Sequence, residues 1–88
     1  MKKEKPSAQI IDVRRPEEYA KGHGTNSINI PLNEMEERLE EIKDIKEPIV
    51  VVCGGGTRNK KAHELLTSLG VKSEAGGGWK EAGEKYNC

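Results

Sequence analysis

The sequence predicts a single α/β domain built on a largely parallel sheet. Strand-like and helix-like segments alternate along the chain, with no internal repeat and no low-complexity linker between them. Ile49 to Val52 is apolar at every position, as a strand covered on both faces in the middle of such a sheet must be.

The elements follow in order. "AQIIDV", Ala8 to Val13, is a short apolar strand that ends at Arg14 and Arg15. Pro16 suits a first helical turn, and Glu17 and Glu18 lie where the helix dipole favours negative charge. "RPEEYAKG" therefore reads as one or two helical turns closed by Gly22. "SINIPL" is a brief strand stopped by Pro31. Leu32, Met35, Leu39, Ile42 and Ile45 then recur at spacings of three and four, with Glu36, Glu37, Arg38, Glu40, Glu41 and Lys43 between them. That spacing predicts one amphipathic helix whose charges form a solvated face. Pro48 ends it, and the Ile49 to Val52 strand follows. A further helix starts at about Arg58 or Asn59, with Ala62, Leu65, Leu66 and Leu69 on one stripe and Gly70 as its stop. "VKSEA" reads as a last short strand, and "GGGWKEAGEKY" as a glycine turn into a small helix anchored by Trp79.

Bulk properties narrow the function. A chain of 88 residues makes one small domain with a thin core, because chains of this size bury only roughly 60% of their unfolded surface. With 15 basic and 15 acidic side chains the net charge is zero, so neither nucleic acid nor an anionic membrane is expected as a partner. The longest apolar run, Ile49 to Cys53, is too short to span a bilayer. "MKKEKPSAQ" is basic but lacks the apolar stretch of a signal peptide. A cytoplasmic location is expected, or a periplasmic one if a leader has been removed. The two cysteines, Cys53 and Cys88, are too few for a disulfide framework.

The chemistry concentrates in "IVVVCGGGTRNKKAHELL". A strand, a tight loop and a helix in α/β order put Cys53 at the carboxyl end of a central strand, where open parallel sheets keep their binding crevices. Gly54, Gly55 and Gly56 carry no Cβ, so the backbone can curl its N–H groups around the sulfur. Together with a helix N-terminus and the charge of Arg58, these donors should lower the thiol pKa and supply a thiolate nucleophile. The plainer alternative is a small buried cysteine followed by a turn, and the fragment by itself leaves both open. A metal site is not expected: Cys53 has no second cysteine nearby, and His23 and His63 lack metal-motif spacing. A nucleotide-binding loop is excluded, since "GGGTRNKK" has no glycine followed by lysine and a hydroxyl residue.

Three segments together are more specific. "IIDVRRPEEYAKGHGTNSINIPL" resembles the N-terminal signature of rhodanese domains, "VVVCGGGTRNKKAHELLTSLGV" their active-site loop and helix, and "AGGGWKEAG" their closing glycine-tryptophan segment. They cover nearly the whole chain, as one rhodanese-like domain over residues 1–88, and resemble the compact single-domain forms of that family.

The resemblance implies a central, largely parallel sheet of four to five strands flanked by helices. Four are favoured, because the chain begins close to "IIDV". It implies a thiosulfate-type sulfurtransferase working by double displacement. Cys53 would take sulfur from thiosulfate or a persulfide donor and hold it as a persulfide for a thiol, cyanide or thioredoxin-like acceptor, with no cofactor. Gly54, Gly55, Gly56 and Thr57 would form the loop around that sulfur, and Arg58 would orient the donor or brace the loop. The related dual-specificity phosphatases separate cysteine from arginine by five residues, whereas here only Gly54 to Thr57 intervene, a loop suited to one sulfur atom.

Other matching residues read as architectural: Asp12 and Arg14 in a strand-end hydrogen bond and an ion pair with a carboxylate such as Glu18, His23 as a hydrogen-bonded structural histidine, Tyr19 and Trp79 as core or rim aromatics. Two departures from the family pattern stand out. "GHGTNS" replaces an apolar-proline turn, and "GGGT" places no charge inside the loop. The second favours a protein or small-molecule persulfide over dianionic thiosulfate. It also keeps open a second class of function, a sulfur-relay or interaction module with little free-standing turnover.

Overall fold

The computed structural model describes residues 8–85. Four strands pair entirely in parallel in the order β2-β1-β3-β4. They are β1 (Gln9–Asp12), β2 (Ser27–Asn29), β3 (Ile49–Cys53) and β4 (Glu74–Gly78). Helix α1 (Pro16–Ala20) joins β1 to β2, α2 (Leu39–Lys43) precedes β3, α3 (Arg58–Ser68) joins β3 to β4, and α4 (Trp79–Lys85) closes the chain.

Strand side chains alternate between faces, and that alternation divides the core in two. Ile11, Ile49, Val51 and Cys53 share one face with Met35, Ile42 of α2 and Ala62 and Leu66 of α3. Ile10, Val50 and Val52 face the other way, under Ala82 of α4 and the half-buried Trp79. Strand β3 is thus covered on both sides and buried at every residue, as its unbroken apolar run requires. Parallel pairing also gathers the carboxyl ends of β1 and β3 on one edge, which brings Asp12 and Cys53 to the same rim of the sheet.

Two expectations are corrected. The apolar stripe from Leu32 to Ile45 is not one helix: Leu32–Glu34 forms a 3-10 turn and α2 contains only Leu39–Lys43. Leu32 N–H donates to Val13 O at 3.1 Å, which fastens this segment to the end of β1. A spacing of three suits a 3-10 turn as well as an α-helix, so Leu32 and Met35 reach the core either way.

The last strand is also displaced. It comprises Glu74–Gly78, so the glycines read as a turn are strand residues. A Cβ on Gly76 would fall 2.5 Å from Val50 Cγ1 and 3.2 Å from Val52 Cγ1, so only a bare backbone packs against that face of β3. At Gly77 φ is +79°, where the β3–β4 register shifts before Cys53 pairs with Gly78. A residue without Cβ adopts that conformation without strain.

Candidate active site at the carboxyl end of β3

Cys53 is the last residue of β3, and its side chain is fully buried. Above it Gly54, Gly55, Gly56 and Thr57 form an exposed loop that leads into α3. Gly55 has a φ of +118°, which a side chain would resist. Burial pushes the Cys53 thiol up. Opposing it are the Asn59 side chain and the backbone N–H groups of Gly55, Asn59 and Gly56, all donating to the sulfur. The donors prevail, and the pKa lies below the ordinary cysteine value.

Asn59 is the residue that the sequence reading missed. Its Nδ2 lies 3.0 Å from Cys53 Sγ and 3.0 Å from Gly56 O, and its Oδ1 accepts Gly77 N–H at 3.2 Å. It is only 2% exposed. A signal was present: Asn59 precedes Ala62 and Leu66 by three and seven residues, so a polar side chain lies on the buried stripe of α3. Such a group must find partners inside the protein.

Arg58 reaches across to α1. Its Nη1 donates to Glu18 Oε1 at 2.7 Å and its Nη2 to Oε2 at 3.3 Å. Glu18 Oε1 also accepts Arg15 N–H at 2.9 Å. The Arg58 bonds first, then the Arg15 N–H, hold the Glu18 carboxyl down at about 2. Glu18 is therefore not the partner of Arg14, as the sequence suggested. Arg14 pairs with Asp12, its Nε donating to Oδ1 at 2.9 Å and its Nη2 to Oδ2 at 2.9 Å. Asp12 lies two residues back on the same strand end, and both residues are buried, so the nearer carboxylate wins.

Arg14 also donates to Gly22 O at 2.7 Å and lies over the Trp79 ring, 5.0 Å from its centroid. That places Trp79 on the rim. His23 stacks on Tyr19 at 3.7 Å, with its Nδ1 2.7 Å from Tyr19 O, while Tyr19 donates its hydroxyl to Ser27 O at 2.7 Å. Both are held by structural contacts. Beside Arg58 an open cleft of about 910 Å³ runs between α1 and the segment after β2, lined by Val13, Pro16, Glu18, Leu32 and Arg58 among others.

Cys88 lies outside the described residues. Among the described residues no group of three or more His, Cys, Asp and Glu side chains could hold a metal ion, and no helix is long and apolar enough to cross a membrane.

Comparison with known proteins agrees with this architecture. The rhodanese-like domain family matches residues 1–83. The thiosulfate sulfurtransferase PspE of Escherichia coli is 38% identical over 81% of this chain and 70% of its own length. The putative sulfur carrier protein YrkF of Bacillus subtilis is also 38% identical, over 75% of this chain but only 35% of its own length. Among solved structures, a rhodanese with anions from E. coli superposes with a TM-score of 0.75 at 36% identity, covering 85% of this chain and 91% of that one. A parallel sheet with a cysteine at the end of its central strand, and a family match that spans nearly the whole sequence, place this chain in the rhodanese-like domain family.

Proposed function

We propose that the protein is a sulfurtransferase that carries sulfane sulfur as a persulfide on Cys53. The observation that supports this most is the set of donors aimed at one buried sulfur: three backbone N–H groups and the Asn59 carboxamide. A loop that stabilises a thiolate also stabilises the anion of a persulfide built on it.

In the first half-reaction the Cys53 thiolate attacks the outer sulfur of a donor RSS⁻. A new S–S bond forms, the donor's S–S bond breaks, and RS⁻ departs with the bonding electrons. With thiosulfate the leaving group is sulfite, and the charges balance in the same way. In the second half-reaction an acceptor thiolate attacks the outer sulfur of the persulfide and Cys53 leaves as thiolate. Cys53 is then the nucleophile, the N–H groups of the Gly54 to Thr57 loop hold the transferred sulfur, and Arg58 braces that loop through Glu18. No cofactor enters.

Persulfides are the favoured donors over thiosulfate. The arginines nearest the loop, Arg14 and Arg58, are each matched by a carboxylate, and the loop itself is uncharged, so little positive charge awaits a dianion. A sulfur-relay module with little turnover of its own is the second reading, supported by the same charge balance and by the name of the carrier relative from B. subtilis.

Intact-mass spectrometry after incubation with thiosulfate or a small persulfide tests the proposal without assuming an acceptor. One added sulfur is expected, removed by thiol, absent from Cys53→Ser and retained in Cys88→Ser. Label retained by Cys53→Ser would overturn the assignment.

A further inference from the structure

The two N–H bonds of the Asn59 carboxamide are fully allocated. Gly77 N–H needs an acceptor and takes Oδ1 at 3.2 Å, which fixes the orientation of the amide and directs Nδ2 to the other side. There one N–H meets Gly56 O at 3.0 Å and the other meets Cys53 Sγ at 3.0 Å. An amide nitrogen only donates, and so the sulfur, like the carbonyl, must accept. We propose that Asn59 is a catalytic residue of the sulfur relay, donating a hydrogen bond to Cys53 Sγ that stabilises the thiolate as nucleophile in loading and as leaving group in unloading. This deepens the sulfurtransferase reading of the same site and rests on it for the word catalytic.

The geometry separates Asn59 from the other donors. Gly55 and Gly56 belong to an exposed loop, whereas Asn59 is buried on α3 and tied by its own amide to β4. It therefore holds the sulfur from a rigid element and holds the loop from the same atom, since Nδ2 also carries Gly56 O. Each half-reaction conserves charge: E–S⁻ + RSS⁻ gives E–SS⁻ + RS⁻, and E–SS⁻ + R′S⁻ gives E–S⁻ + R′SS⁻. In both, the negative charge on Sγ appears or disappears beside Asn59, so its N–H bond changes strength within the reaction.

The two half-reactions respond oppositely. A thiolate of lower basicity attacks more slowly but leaves more readily. Asn59→Ala should raise the Cys53 alkylation midpoint by about one pH unit, the scale of a lost hydrogen bond to a charged group. Measured well above both midpoints, sulfur loading should become faster by about threefold, while release to a small thiol slows. Asn59→Asp keeps the shape and the acceptor for Gly77 N–H but replaces the donor with a negative charge, and should raise the midpoint further. A role confined to holding the loop would also raise the midpoint, because the Gly55 and Gly56 N–H groups would lose their aim at the sulfur, but it would slow both half-reactions.

Peptide-resolved alkylation with iodoacetamide across pH, on variants whose circular dichroism matches the parent, gives the first answer. Midpoints ordered parent, Asn59→Ala, Asn59→Asp, together with faster loading and slower release in Asn59→Ala, support the proposal; coincident midpoints, or two slowed half-reactions, overturn it. In the unaltered protein, which needs no variant to fold, the Asn59 side-chain amide resonances should titrate with the Cys53 midpoint. Resonances flat through that pH overturn it as well. If the parent protein never acquires sulfur yet these midpoints move, Asn59 still tunes the thiol, and it is the sulfurtransferase reading that has failed.

Discussion

Arg58 and Glu18 stand 40 residues apart in sequence and form a two-pronged ion pair that joins the start of α3 to α1. Helix α1 has only five residues, too few to persist on its own. The pair docks it beside the glycine loop, and it also neutralises the cation closest in sequence to the loop. Glu18→Gln should free that charge and move the Cys53 alkylation midpoint downward, while Arg58→Ala should move it upward by less than Asn59→Ala does. If neither substitution moves the midpoint, Arg58 acts on the loop only as a mechanical brace.

The same carboxylate sets an acid limit. The pKa of Glu18 is lowered from 4.5 to about 2 in the folded protein, so the unfolded chain binds its proton more readily. Its stabilising contribution is complete above about pH 4.5 and is lost as the pH falls through about 2. Between those limits the melting temperature of the parent should fall more steeply than that of Glu18→Gln. The pair is exposed, so about 0.5 M salt should shrink the difference. Parallel curves for the two proteins would show that the pair adds nothing to stability.

Asp12 and Arg14 should behave differently because they are buried. The Asp12 carboxylate is fully enclosed and takes both the Nε and the backbone N–H of Arg14. Asp12→Ala strands the guanidinium without its counter-charge, which costs about 3–5 kcal/mol in such sites. That is a large fraction of the roughly 5–15 kcal/mol that holds a small domain together. Urea unfolding should show the loss, and a change below about 1 kcal/mol would mean that Arg14 is satisfied by Gly22 O and the Trp79 ring alone.

Much of this arrangement was legible because local chemistry and tertiary structure agree. The unbroken apolar run at Ile49 to Val52, the Pro16 start and the Gly70 stop each have one reading, and the structure follows all three. The thiol at the strand end followed from chain order alone. The failures occur where tertiary contact decides. Leu32 could not reveal that its N–H bonds Val13 O, and Gly76 is a turn signal until Val50 lies across from it. Asn59 looked like a helix start because its partners, Cys53, Gly56 and Gly77, come from three different segments.

Gly76 offers a direct check on that packing. Gly76→Val would set branched carbons where even a Cβ already meets Val50 Cγ1 at 2.5 Å. Overpacking of this kind costs typically about 1–3 kcal/mol. Because Val50 is itself buried, relief of the clash should show as a loss in the double variant Gly76→Ala with Val50→Ala that is smaller than the sum of the two single losses. Additive losses would place the strain elsewhere.

Gly56 is the position from which donor preference should be adjustable. A Cβ there meets nothing within 4 Å, and its φ is not positive, so a side chain can be added without strain. The backbone should stay in place, because Asn59 Nδ2 holds Gly56 O at 3.0 Å whatever side chain is present. Gly56→Lys would add a cation to a loop that has none, beside arginines already matched by Asp12 and Glu18. Exposed charge pairs are worth up to about 1 kcal/mol, which for a dianion predicts thiosulfate loading faster by roughly twofold to fivefold. A singly charged persulfide should gain less. Raising the salt to about 0.5 M should remove most of the gain, and Gly56→Glu should reverse its sign. Gly55→Lys is the matched control, since a φ of +118° makes any side chain there strained and should impair loading from both donors. Equal gains for both donors under Gly56→Lys, or a gain that survives high salt, would show that charge at the loop does not select the donor.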